Sequence, residues 1–172
     1  MAKTKKQTVK KKAGSAALRP QAKTPLKAVR KAAAHEFFAR PAIEISATFK
    51  DIVGLTAKVA AAVAAENVNI LAGKGYSSFG PYRKAVFNLV VDDFAKAEKA
   101  LGRMGADDID EASVILVDMA NKVGALEKAA KTIANAGINI HYFYATTSTG
   151  ETATCVFSTA NDTKAIRLLN KA

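Results

Sequence analysis

A phrase of 18 residues occurs twice in this chain, 70 positions apart. Val53-Gly54 opens the first copy, which closes on Val68-Asn69-Ile70. Val123-Gly124 opens the second, which closes on Ile138-Asn139-Ile140, and the two align without a gap. Seven of the 18 aligned positions are identical: the Val-Gly pair, Lys58/Lys128, Ala60/Ala130, Ala64/Ala134 and the Asn-Ile pair. Self-similarity at a fixed offset marks a duplicated supersecondary unit, so it constrains the architecture before any local assignment is made. Each copy reads as strand, glycine turn, helix, strand.

The flanking residues extend that reading. Ile43-Glu44-Ile45-Ser46-Ala47-Thr48-Phe49 alternates as a half-buried strand. After the turn at Gly54, a helix places Leu55, Val59, Ala62 and Val63 on one face at helical spacing. A strand from Val68, a hairpin turn at Phe79-Gly80-Pro81-Tyr82 and a strand from Ala85 to Val91 follow. Asp92-Asp93 is expected to cap a helix with Phe94, Ala97, Leu101 and Met104 inward. A short strand near Ile109 leads into Ser113–Val117, which starts the second copy. That copy runs through a helix over 123–136, a strand from Ile138, a turn at Ser148-Thr149-Gly150, a strand from Thr152 and a helix from Asn161. The expected fold class is therefore α+β, with two ferredoxin-like units, βαββαβ then βαββα. The first would span residues 42–111 and the second 112–172. The second ends without its last strand, which would leave Ser113–Asp118 on an open edge needing cover from the neighbouring unit, a partner chain or the N-terminal arm.

Charge is unevenly distributed. Residues 1–41 contain 12 Lys and Arg against one acid, Glu36, whereas the rest of the chain carries 14 of each sign. The body is electrically neutral and the arm carries the whole net charge of +11. Residues 1 to about 21 are expected to be disordered, with Val9 and Leu18 their only large apolar residues after Met1. Thr24-Pro25 suggests a helix start, with a short helix over 25–39 that would dock through Phe37 and Phe38 before Pro41. No apolar run follows the basic start, so neither a secretory signal nor a membrane span is expected, and the location implied is cytoplasmic.

The pattern D-x-x-G-L or N-x-x-G-A, then helix, then an Asn-Ile strand resembles the ACT domain, a small regulatory module that binds amino acids. The order over 43–172 resembles stand-alone tandem ACT proteins. Val53 and Val123 stand where that family usually has Pro, and Asn121 where it has Asp. The resemblance implies ligand sockets at Asp51, Val53, Gly54, Leu55 and Asn69, and at Asn121, Val123, Gly124, Ala125 and Asn139. It also implies side-by-side dimers. The residues support a socket independently. A glycine where a strand passes into a helix lets a bound molecule approach the backbone, and helix-start N–H groups attract a carboxylate. Asp51 or Asn121 would accept an ammonium group. The alternative is that the glycines only permit the turn and Asp51 and Asn121 cap the helices.

Catalytic chemistry is not expected. Two histidines, His35 and His141, and one cysteine, Cys155, make no zinc set and no disulfide framework, and no cofactor motif is present. Cys155 alternates with Ala153 and Phe157 as a core residue. His141 and Phe143 share a strand face that is either an interaction surface or inert. In the arm, Lys3, Lys5, Lys6, Lys10, Lys11 and Lys12 would neutralise phosphates, giving salt-sensitive, sequence-independent nucleic-acid binding. The reading is a non-enzymatic, dimeric regulator of the small amino acid-binding kind. The alternative is a nucleic-acid-associated protein that dimerises through its body.

Overall fold

Strand register decides how the two copies meet. The computed structural model describes residues 36–78, 83–147 and 150–172. Their order is β1 (Phe37–Lys50), α1 (Leu55–Ala65), β2 (Ile70–Ser77), β3 (Lys84–Val91), α2 (Phe94–Arg103), β4 (Asp108–Ala120), α3 (Ala125–Ala134), β5 (Ile140–Thr147), β6 (Thr152–Thr159) and α4 (Asp162–Leu169). The fold is α+β. The six described strands form one antiparallel sheet in the order β2-β3-β1-β4-β6-β5.

The two central strands are longer than the sequence suggests, and each serves both halves. The C-terminal part of β1, from Glu44 to Lys50, pairs with β3, while all but its last two residues, from Phe37 to Thr48, pair with β4. In turn, β4 gives Ile115–Ala120 to β6. The edge expected to be open at Ser113–Asp118 is therefore covered by Phe37–Ile43. This corrects the helix expected over 25–39: Phe37, Phe38 and Ala39 lie in a strand. Residues 25–35, the six candidate phosphate-binding lysines and both hairpin turn segments, 79–82 and 148–149, lie outside the described residues.

Alternation along β1 sorts its side chains between two layers. Phe37 and Ala39 pack with Ile115, Val117, Phe157, α3 and α4, whereas Ile45, Ala47 and Phe49 pack with Phe87, Leu89, α1 and α2. All four described helices thus lie on one face. The helical cores repeat with the sequence: Leu55, Val59 and Val63 are buried on α1, and Ala125, Ala129 and Ile133 on α3. Asp93 caps α2 by accepting from the Lys96 N–H, and Asn161 caps α4 by accepting from Lys164. Asp92 has another task, since its carboxylate accepts from the Asn69 N–H at 2.9 Å.

The opposite face is also buried. Ala72, Val90, Val114, Leu116 and Val156 form a third cluster, with Ala42, Tyr142 and Tyr144 packed against it. The sheet curls until its two edge strands approach across this face, placing the Lys74 Nζ of β2 4.0 Å from the Tyr142 ring centroid of β5.

Among the described residues, the N-terminal half of β1 pairs with a strand on one side only, β4, and its other side is blunted. The Asn170 side chain accepts from the Ala39 N–H at 2.7 Å and donates to the Ala39 carbonyl at 2.8 Å, imitating a neighbouring strand. Backbone polarity alternates, so the next residue facing that side is Pro41, which has no N–H to present.

Candidate functional site

The glycine turns are built alike. Gly54 has φ 80° and Gly124 φ 86°, the left-handed region that favours glycine, and each stands at a helix start that no side chain caps. A Cβ at either position would meet nothing within 4 Å, so conformation requires the glycine and a close backbone approach does not. The first helical amides are used within the turns: Leu55 N–H donates to the Ile52 carbonyl and Ala125 N–H to the Lys122 carbonyl, both at 3.2 Å. The Leu55 and Ala125 side chains enter the core. Val53 and Val123 are fully exposed.

Asp51 and Asn121 do not cap the helices. Asp51 lies 3.6 Å from the Arg83 guanidinium, and its N–H donates to the Arg83 carbonyl. Asn121 makes the equivalent tie, donating through Nδ2 to the Gly150 carbonyl at 3.1 Å and through its N–H to Glu151. Both fasten the turn to the neighbouring hairpin. The exposed Asn69 and Asn139 carbonyls accept from the Asp92 and Ala160 N–H groups, joining β2 and β5 to the following segments.

In the second half, Gly124 opens one end of a groove of about 860 Å³ between α3 and β5. Leu126, Phe143 and Phe157 supply apolar wall, and Lys122, Glu127 and His141 supply polar groups. A smaller depression of about 470 Å³ continues along α3 past Ala134 to Asn139. The structure thus brings the predicted Gly124 and Asn139 to one helix flank. It adds Lys122, Leu126, Glu127, His141 and Phe143, which the turn motif alone did not select. The repeat carried a signal for this flank. Ala130 and Ala134 line it, and they are two of the positions identical between the copies, whereas none of the buried helical positions is identical.

Charges at this groove are already engaged. Glu36, where the described chain begins, pairs with Lys122 at 3.3 Å and with Lys128. The hydrogen bond from Lys128 holds the Glu36 carboxyl below its ordinary value. Glu127 pairs with Lys131 at 2.6 Å, raising the lysine pKa. The first half is chemically plainer. At the same offset of 70, Ala57 stands for Glu127, Leu71 for His141 and Gly73 for Phe143.

A second polar cluster lies on the curled face, where the alternation of β1 had suggested solvent. Glu44 is only 1% exposed, the one buried charged residue among those described. Its carboxylate accepts from Tyr142 OH at 2.6 Å, Tyr144 OH at 2.8 Å and Asn88 Nδ2 at 2.9 Å. Lys74 lies over both tyrosine rings, 4.0 and 5.1 Å from their centroids. Burial, and then hydrogen bonding to an anion, pushes both phenol pKa values upward. Burial also pushes the Cys155 thiol up to about 12, which suits a core residue and disfavours a nucleophilic thiolate. No cluster of metal-ligating side chains occurs among the described residues, and no described helix is long and apolar enough to cross a membrane.

Sheet order, one-sided helices and paired glycine turns define an ACT-like fold. Solved structures sharing this arrangement include a protein from Bacteroides thetaiotaomicron, 25% identical with a TM-score of 0.65, covering 77% of this chain and 89% of that one. The ligand-free regulatory subunit of aspartate kinase from Thermus thermophilus is 19% identical with a TM-score of 0.57, covering 78% of this chain and 95% of that one. Its counterpart from Thermus flavus is 21% identical with a TM-score of 0.55, covering 79% and 95%. Neither a protein-family model nor a curated protein matches the sequence.

Proposed function

We propose that the chain is a non-enzymatic regulatory protein that binds a small amino acid through two ACT-like units. The groove between α3 and β5 is the better equipped site, and its composition carries the reading. Leu126 and Phe143 offer an apolar contact, Glu127 offers a carboxylate to an ammonium group, and Lys122 offers a cation to a carboxylate. These groups complement a zwitterion with a small side chain. The ligand carboxylate would exchange with Glu36, which now holds Lys122 and Lys128. Regulatory subunits of aspartate kinase share the fold, which supports a regulatory role.

A thermal-shift screen against the twenty amino acids tests the reading. Ligand at a hundred times Kd adds about 2.7 kcal/mol of stability. Ala130→Phe fills the groove from α3 and should abolish the shift. No shift with any amino acid, or an undiminished shift in Ala130→Phe, refutes the site. Association in pairs belongs to the same proposal. The sheet edges β2 and β5 expose Ile70, Leu71, Tyr76 and Phe143, and a two-fold pairing there would bring a second copy to the groove. Light scattering that shows only monomer at high micromolar concentration, with or without ligand, refutes the pairing.

The segregated charge favours a second activity. Residues 1–41 would bind nucleic acid through phosphate neutralisation, with the body contributing nothing to affinity. Titrating a labelled duplex at two salt concentrations should show steep salt dependence for the full chain. Equal affinity of a chain lacking residues 1–35 refutes it.

A further inference from the structure

The buried polar cluster meets the proposed ligand site only at Tyr142, and its other members lie outside the groove. We propose that Glu44 is the hub of a clasp that couples β2 to β5, so that the two open edges of the sheet loosen or tighten together.

Four strands contribute. Glu44 comes from β1, Asn88 from β3, Lys74 from β2, and Tyr142 and Tyr144 from β5. Lys74 stands directly opposite Asn88 in the β2–β3 register, and Asn88 donates to Glu44. From Lys74, one route to β5 therefore passes through Asn88 and the carboxylate. The other is direct, with the ammonium over the rings that Glu44 orients.

The electrostatics make the parts interdependent. A carboxylate held from water is strongly disfavoured unless donors replace its hydration, and three do so here. Lys74 lies over the rings while Glu44 takes their hydroxyls, so the cation and the anion act on the same two phenols. That arrangement polarises both O–H groups toward Glu44. Losing one donor weakens the hold on the carboxylate and on the rings that seat Lys74.

The two coupled strands are the edges of the six-stranded sheet, and each follows one of the paired glycine-turn helices. Tyr142 also lines the groove between α3 and β5. Glu44, Asn88 and Lys74 are thus positioning residues, through which the first half of the chain sets the wall of the groove in the second. The inference is independent of what binds there.

Amide hydrogen exchange on the full chain, resolved by NMR, tests the clasp without a ligand. Tyr144→Phe keeps the ring and removes one donor on β5. Amides of β2 on the opposite edge should then exchange about tenfold faster or more, the factor implied by loss of a hydrogen bond to a charged acceptor. Amides in α1 and α3 should keep their rates. Lys74→Met keeps the length of the side chain and removes the ammonium, and should speed exchange in β5 by about threefold or more. Lys84→Met on β3 removes a cation outside the clasp and should leave β5 unchanged. Unchanged β2 rates in Tyr144→Phe, an equal rise in every element, or an equal effect of Lys84→Met would overturn the proposal. If Tyr144→Phe does not fold, the response of β5 to Lys74→Met decides.

Discussion

Phe37 and Phe38 are adjacent, chemically identical and located in a segment that reads locally as helix. The structure assigns them opposite fates. Phe37 is 1% exposed in the core under α3 and α4, whereas Phe38 is 41% exposed, with the Arg40 guanidinium 5.6 Å above its ring. Truncating a buried phenylalanine removes its transfer energy and leaves a cavity, together about 3–5 kcal/mol. Truncating the exposed one forfeits partial burial and a surface cation–π contact, together about 1–2 kcal/mol. Phe37→Ala and Phe38→Ala should therefore differ by roughly 2–3 kcal/mol. That difference is a large part of the ~5–15 kcal/mol typical of a native protein. Urea denaturation followed by circular dichroism measures it, provided the two variants share one m-value. Equal losses would refute the strand alternation and with it the cover over β4. A docked helix, presenting both rings to the body, would give that result.

Two further outcomes follow from local geometry. Gly124→Ala should cost about 1–2 kcal/mol, the penalty of a left-handed non-glycine residue, because its Cβ meets no atom within 4 Å. A urea midpoint equal to wild type would show that the turn does not hold the positive φ. For Tyr142 and Tyr144 the folded pKa lies above the ordinary 10, so their contribution is complete below pH 10 and is lost as pH rises further. In a near-ultraviolet alkaline titration these two phenols should ionise only as the protein unfolds. Ionisation of all four tyrosines near pH 10 in the folded state would contradict the buried cluster.

Much of the fold was legible because it is repetitive and local. The 70-residue offset gave the paired helices, and Asp93 and Asn161 announced α2 and α4 through ordinary capping chemistry. The failures share one cause, which is pairing between distant segments. Thr24-Pro25 and Pro41 punctuate the sequence as a helix would, yet β4, some 75 residues downstream, recruits Phe37–Ile43 into the sheet. Proline is no obstacle there because its missing N–H faces an unpaired edge. Glu44 was legible as the polar member of an alternating strand. Its burial was not, since a period of two assigns a residue to a face and says nothing about whether that face curls shut. Of the residues lining the groove and its smaller continuation, the repeat singled out Gly124 and Asn139. Glu127 was not legible, because its place on the groove depends on α3 packing beside β5, whereas His141 and Phe143 were recognisable only as a shared face.

Two strands that each belong to both halves alter what the duplication means for folding. A cut between residues 111 and 112 passes through β4, so neither copy can be excised with a complete sheet. Expressed alone, residues 112–172 would lack Phe37 and Ala39 from their core and would expose the β4 edge that Phe37–Ile43 covers. The chain should therefore unfold in one cooperative step despite its internal repeat, unlike an array of independent modules. Its folding should also be slow for its size. The contacts that complete the second half join opposite ends of the described chain, as Asn170 does with Ala39, and they form only after the longest loops have closed.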